Sequence, residues 1–179
     1  PSERILASTA FSPCHLGQTL YQERGISFPT MNCSKDLPKL SFRRFEERDV
    51  EGIRRIYPEF FDDCPQLRCE EGFTVAEMNG QIVGFFVVTT HTNYPWWDRE
   101  VKCWCEIVEL HVFHKLWRRG IGAQLVLGAL NYAKSKGAEA IYVVTGDGNV
   151  AARRLYEKCG FKEYERKIRY KQRIPRPQC

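Results

Sequence analysis

Between Leu116 and Gly137 the sequence reads LWRRGIGAQLVLGALNYAKSKG, a short basic loop that runs straight into an apolar-striped helix. Glycines at 120 and 122 leave backbone amides uncovered at the start of that helix, where the amide hydrogens and the helix dipole attract anions. Arg118 and Arg119 add positive charge at the same place. The amides from Arg118 through Gly120, Ile121 and Gly122 to Ala123 therefore form a candidate cradle for a diphosphate. Two other phosphate loops fail the test. No Gly-Lys-Ser/Thr ends the stretch, and Leu125 stands where a G-x-G-x-x-G fingerprint wants Gly or Ala.

The elements that must hold this loop can be read on either side of it. KLSFRRF alternates like a strand, and Asp49 is expected to cap the helix VEGIRRIYPEFF, with Val50, Ile53, Ile56 and Tyr57 on one face before Pro58 interrupts it. GFTVAEMNGQIVGFFVVTTH predicts a hairpin around a type I′ Asn79-Gly80 turn. CWCEIVELHVF is a longer strand whose Val108, Leu110 and Val112 share a face, with Glu109 and His111 opposite, if no bulge intervenes. The helix after Gly120 carries Ile121, Leu125, Ala129 and Tyr132 as its stripe and ends at Gly137. AEAIYVVTG is a further strand, Asn149 opens the helix VAARRLYEKC, Gly160 stops it, and FKEYERKIRYKQR alternates as one or two closing strands. The pattern predicts an α/β protein, a mixed sheet with helices on it.

The stretch from Glu106 to Phe161 resembles the acetyl-CoA-binding core of the GNAT superfamily of N-acetyltransferases. The family's loop motif, Gln/Arg-x-x-Gly-x-Gly/Ala, is met by Gly120 and Gly122, with Trp117 in place of the first residue. A second signature, Asn-x-x-Ala-x-x-x-Tyr-x-x-x-Gly-Phe, is complete as Asn149, Ala152, Tyr156, Gly160 and Phe161. The resemblance implies a central strand splayed from its neighbour, whose Leu110, His111 and Val112 backbone binds the pantetheine arm of acetyl-CoA. It also implies cofactor contacts from Asn149 and Ala152, and no metal. Asn149 and Tyr156 lie two helical turns apart on one face. A phenol of pKa ~10 suits protonation of a thiolate of pKa ~8.5, so Tyr156 is the candidate general acid. Glu106, fourteen residues before Gly120, matches the base position of the histone-acetylating branch, and Glu109 occupies the common E-L-x-V position. Either could be the base, and strand parity admits only one of them to the acceptor side without a bulge.

The resemblance places the acceptor among the first helix, the loop after it and the segment before the central strand. Those regions read EFFDDCPQLRCEEG and HTNYPWWDRE, acidic and aromatic within a chain of net charge +5. Asp62, Asp63 and Asp98 for charge and Trp96 and Trp97 for apolar or cation–π contact suit a cationic amine, a small molecule or a peptide lysine or N-terminus. The competing reading is a non-catalytic acyl-CoA-binding module that recognises a protein partner through the basic C-terminus. Nucleic acid has only those C-terminal charges in its favour. At 179 residues the chain fits one domain, expected over 39–171, with an irregular extension over 1–38 carrying a short helix at Gly17 to Glu23, and a basic tail over 172–179. No apolar run approaches the ~20 residues of a membrane span. Eight cysteines without a C-x-x-C pair point to reduced thiols in a cytoplasmic setting. A homodimer is left open.

Overall fold

The computed structural model describes residues 38–95 and 98–165 together with Gln172. The extension and its short helix, Trp96, Trp97, the closing strands beyond 165 and the rest of the tail lie outside the described residues. Residues 161–165 carry no strand.

Five strands form one sheet in the order β1 (Ser41–Arg44), β2 (Gly72–Met78), β3 (Gln81–His91), β4 (Trp104–Val112) and β5 (Ala140–Val143). Neighbours are antiparallel through β4, and β4 pairs with β5 in parallel. Met78 faces Gln81 across the turn, and Asn79 and Gly80 take φ of 53° and 73°, the positive pair that a type I′ turn requires.

Each face of the sheet buries its own core. On one side α3 (Ile121–Ser135) lays Ile121, Leu125, Ala129 and Ala133 against Phe86, Val88 and Ile107. On the other, α1 (Val50–Arg54) and α2 (Phe60–Asp63) bring Ile53 and Phe60 onto Phe73, Val75, Phe85 and Val87. Phe60 meets the rings of Phe85 and Phe73 edge-on at 4.9 and 5.4 Å. The last helix, α4 (Val150–Lys158), lies beside α3. The result is a mixed sheet covered by helices on both faces. Among the described residues no helix is long and apolar enough to cross a membrane, and Cys64, Cys69, Cys103, Cys105 and Cys159 are free thiols.

Asp49 does not cap α1. It ends a 3-10 turn, Glu47–Asp49, whose cap is Glu46, and its carboxylate accepts the Glu46 amide hydrogen at 2.8 Å. The reason is Arg43. Its guanidinium donates to both Asp49 oxygens at 2.6 and 2.7 Å and to Glu77 at 2.6 and 3.0 Å, tying the start of the first helix to β1 and β2. Asp49, only 3% exposed, is thereby paired in the interior.

Candidate active site

Strand β4 carries the feature on which the rest depends. Ile107 faces Val88 and Glu109 faces Val87, so Val108 is an extra residue, a bulge. Without it Val108 would share a face with Leu110 and Val112. Instead Val108 joins the α1/α2 core while Leu110 and Val112 remain in the α3 core. The same inserted residue turns Glu106 and Glu109 to one face, that of α1 and α2, although their spacing alone would separate them.

The pairing of β4 with β5 runs from Trp104↔Ala140 to Ile107↔Val143, and beyond it, to Val112, β4 has no strand partner on that edge among the described residues. Phe113 N–H donates to the Val83 carbonyl at 2.9 Å, and the His111 carbonyl stands 2.8 Å from where a Cβ on Gly84 would be. Backbone groups alternate in direction along a strand, so 111 and 113 serve β3 while Leu110 and Val112 point to the open edge. His111 thus departs from the expected trio: its backbone faces β3. The Val112 carbonyl on that edge accepts the indole hydrogen of Trp117 at 2.8 Å, and the Trp117 ring is 64% exposed.

The open edge leads directly into the glycine loop. Arg118 and Gly120 have φ of 63° and 78°, an unusual conformation for a bulky residue and an easy one for glycine. The first α3 bond runs from Gln124 N–H to the Gly120 carbonyl at 3.2 Å, so the amides of Ile121, Gly122 and Ala123 lie in the turn that has no intrahelical acceptor. Arg118 and Arg119 are exposed beside them. A Cβ on Gly122 would sit 3.2 Å from Leu155 of α4, so this glycine also sets how closely the two helices approach. An open strand edge, six consecutive amides and two exposed guanidiniums fit an extended arm ending in a diphosphate.

The second signature is a helix with both ends fixed. The Asn149 side-chain oxygen accepts the Ala152 amide hydrogen at 3.2 Å. At the other end Gly160, at φ 91°, donates to Glu157, and Phe161 N–H donates to the Tyr156 carbonyl at 3.0 Å, a Schellman cap. Tyr156 is half-buried. Burial, with smaller contributions from Cys159 and the charge of Glu109, pushes its phenol up, so it stays protonated at neutral pH.

On the α1/α2 face the side chains converge. Glu109 Oε2 and His111 Nε2 are 2.6 Å apart, with the side chains 25% and 31% exposed. The imidazole lies between Phe85 and Tyr57, each ring centroid 5.0 Å away. The Tyr57 hydroxyl donates to Asp63 at 2.5 Å, which with burial and the nearby Cys64 and Glu109 pushes its pKa up to about 12. The Cys64 thiol points at Glu109 Oε1 across 3.8 Å, and burial followed by that carboxylate raises its pKa.

The sequence model of the Acetyltransferase (GNAT) family matches residues 35–161. The chain belongs to this family. Among curated relatives, an uncharacterised N-acetyltransferase of Methanocaldococcus jannaschii is 37% identical over 98 residues, 55% of this chain and 42% of the relative. The mycothiol acetyltransferase of Amycolatopsis mediterranei is 26% identical over 151 residues, 82% of this chain and 49% of the relative. The chain thus spans less than half the length of either. The aminoglycoside N-acetyltransferase AAC(6′)-Iy, solved in complex with CoA, has a TM-score of 0.62 at 18% identity, over 76% of this chain and 96% of that one, a likeness of fold.

The remaining candidate residues of this GNAT chain fall into two groups. Asp62 is exposed and Asp63 holds Tyr57, both beside the Glu109 cluster. Asp98 lies farther along, at the β5 side of the face, accepting the Tyr142 hydroxyl at 2.9 Å and the Glu100 amide at 3.2 Å. Burial, then Asp98, pushes Tyr142 up to about 12. Tyr142 is the register partner of Glu106, so Glu106 stands between the two acidic groups. Tyr57, Cys64 and Tyr142 escaped the sequence reading. Tyr57 is part of an apolar stripe and Tyr142 of an apolar strand run, and neither pattern marks a residue for polar work. Among the described residues no three His, Cys, Asp or Glu side chains converge as metal ligands.

Proposed function

We propose that this chain is an acetyl-CoA-dependent N-acetyltransferase whose acceptor is a cationic primary amine, reached by direct attack in a ternary complex. The observation that carries the reading is the open edge of β4 beyond the Ile107↔Val143 pair, which runs into the amide-rich start of α3. Leu110 and Val112 would hold the pantetheine amides, and the amides from Arg118 to Ala123, with the Arg118 and Arg119 side chains, the diphosphate. Asn149 uses its oxygen as a helix cap and keeps its amide hydrogens for the cofactor arm, with Ala152 beside it.

Acetyl-CoA is a substrate in this scheme. The acceptor ammonium loses one proton to a base on the β4 face, and the freed lone pair forms the C–N bond as the thioester C–S bond breaks. The thiolate takes its proton from the Tyr156 hydroxyl, and the second proton shed by the new amide nitrogen restores that hydroxyl through solvent. The acidic residues Asp62, Asp63 and Asp98 would attract the cation. The relatives' names, a mycothiol and an aminoglycoside acetyltransferase, support small polar acceptors among the candidates. The test is acetyl-CoA turnover over a panel of polyamines, aminoglycosides, arylalkylamines and lysine peptides, beside calorimetric CoA binding. Turnover with at least one cationic amine is expected. CoA binding without turnover on any of them would make the chain a binding module instead.

A further inference from the structure

The base in this scheme need not be a glutamate. His111 is held on several sides. Its Nε2 is 2.6 Å from Glu109 Oε2, a separation that requires a proton between them, and its ring is fixed between Phe85 and Tyr57 at 5.0 Å on each side. Tyr57 is itself fixed by Asp63 at 2.5 Å. The other ring nitrogen, Nδ1, has no hydrogen-bond partner among the described residues, and the side chain is 31% exposed. An imidazole oriented on one nitrogen by a carboxylate and open on the other is the arrangement of a general base.

We propose that His111 Nδ1 takes the proton of the acceptor ammonium, and that Glu109 is the positioning residue that orients the imidazole and balances the imidazolium. This inference rests on the acetyltransferase reading above and names the base within it. In the step, an ammonium N–H bond breaks and an Nδ1–H bond forms. The Nε2–H bond to Glu109 persists, so the pair passes from net charge −1 to 0, and the proton leaves Nδ1 to solvent after the product departs. Among the described residues the imidazole meets Glu109 on β4 and the rings of Tyr57 and Phe85, of which Phe85 does not titrate; Asp63 stands behind it on the Tyr57 hydroxyl and Cys64 on Glu109. Glu106 shares the face.

The roles predict an order of damage opposite to that of a glutamate base. His111→Gln keeps a side-chain donor for Glu109 but has no second basic nitrogen, so kcat should fall by ~100-fold or more while CoA affinity holds. Glu109→Gln keeps an oxygen to accept Nε2–H and loses only the charge. It should cost less in kcat than His111→Gln, with the KM for acetyl-CoA unchanged, since it keeps the hydrogen bond that orients the ring. His111→Ala should regain part of its turnover in imidazole buffer, a recovery that a merely structural histidine would not show. Thermal unfolding and CoA titration of each variant separate misfolding from lost chemistry. Near-normal turnover of His111→Gln beside an inactive Glu109→Gln overturns the assignment and leaves the acetyltransferase reading standing. A parent protein that acetylates nothing overturns that reading itself.

Discussion

Phe161 donates its amide hydrogen to the carbonyl of Tyr156 at 3.0 Å and sets its ring 5.6 Å from the Tyr156 ring. The pair closes α4 as the C″ and C3 positions of a Schellman cap. None of this uses the Tyr156 hydroxyl, which has no hydrogen-bond partner among the described residues. The hydroxyl is therefore separable from the scaffold. Tyr156→Phe should keep the unfolding midpoint and the acetyl-CoA dissociation constant within experimental scatter while turnover drops by ~100-fold or more. Unfolding scans, calorimetry and steady-state rates on one preparation check this. Undiminished turnover, with chemistry shown to limit the rate, would remove Tyr156 from the mechanism.

Two glycines share a backbone conformation but not a place. Gly120 opens α3 at φ 78°, and Gly137 follows the end of the same helix at φ 70° with open space where a Cβ would go. Alanine at either position meets the left-handed penalty of about 1–2 kcal/mol. Only at Gly120 should it also disturb the diphosphate amides. Both variants are expected to melt earlier, and Gly120→Ala alone should weaken acetyl-CoA binding by ~10-fold or more, equal to about 1.4 kcal/mol. Equal affinities in the two variants would mean that the amides of this loop do not bind the cofactor.

The Asp49–Arg43 pair gives the fold a pH-dependent tie. Burial by itself would raise the Asp49 carboxyl, but the Arg43 hydrogen bonds, the Glu46 amide and the charges of Arg43 and Arg48 outweigh it and hold the group below its ordinary value. A carboxyl depressed in the folded state adds stability above its unfolded pKa of about 3.9, and that stability is lost as pH falls through the lower folded value. Asp49→Asn should therefore be less stable than the parent by roughly 3 kcal/mol near pH 7, the cost of breaking an interior ion pair. The difference should shrink as pH falls from about 4 through the lower folded value, where the folded parent loses the same charge. Urea unfolding of both proteins at a series of pH values reads it directly, and a gap that does not narrow would assign the stability to shape rather than charge.

Much of the fold was legible because short-range chemistry specifies it. The Asn79-Gly80 turn, the Gly137 and Gly160 caps and the apolar stripe of α3 each follow from residues within a few positions of one another. The two signatures were legible for the same reason. Asn149 and Gly160–Phe161 are helix caps as well as family marks, so the structural and functional readings of that stretch coexist. Long-range effects were not legible. Asp49 reads as an N-cap until Arg43 and Glu77 arrive from two strands, the latter 28 positions downstream. The bulge at Val108 has no local mark either, yet it decides that Glu106 and Glu109 share a face. Trp117 reads as a lost polar contact, whereas its indole supplies a donor to the Val112 carbonyl at the open edge. His111 reads as a backbone contributor, and only the packing of Phe85 and Tyr57 turns attention to its ring.

The acceptor's charge can be tested without disturbing what the aspartates hold. Asp63 and Asp98 each accept a tyrosine hydroxyl, at 2.5 and 2.9 Å, and Asp62 is exposed. Asparagine keeps a carbonyl oxygen for either tyrosine, so changing all three to Asn removes charge while leaving each hydroxyl an acceptor. The acceptor KM should rise several-fold in the triple variant, by roughly 1 kcal/mol in all, because exposed charges act through screened fields. The KM for acetyl-CoA should stay within about twofold, since its cradle at the start of α3 is a separate surface with its own cations. Added salt should raise the acceptor KM of the parent more than that of the variant, which no longer has the charges to be screened. The Asp98→Asn single variant divides the effect further. Its site lies along the face beside Tyr142, so a long polyamine should feel its loss and a short amine should not. An acceptor KM unchanged in the triple variant, or a preference for neutral amines across the panel, would show that these carboxylates serve the tyrosines and the surface and that the acceptor is recognised by other means.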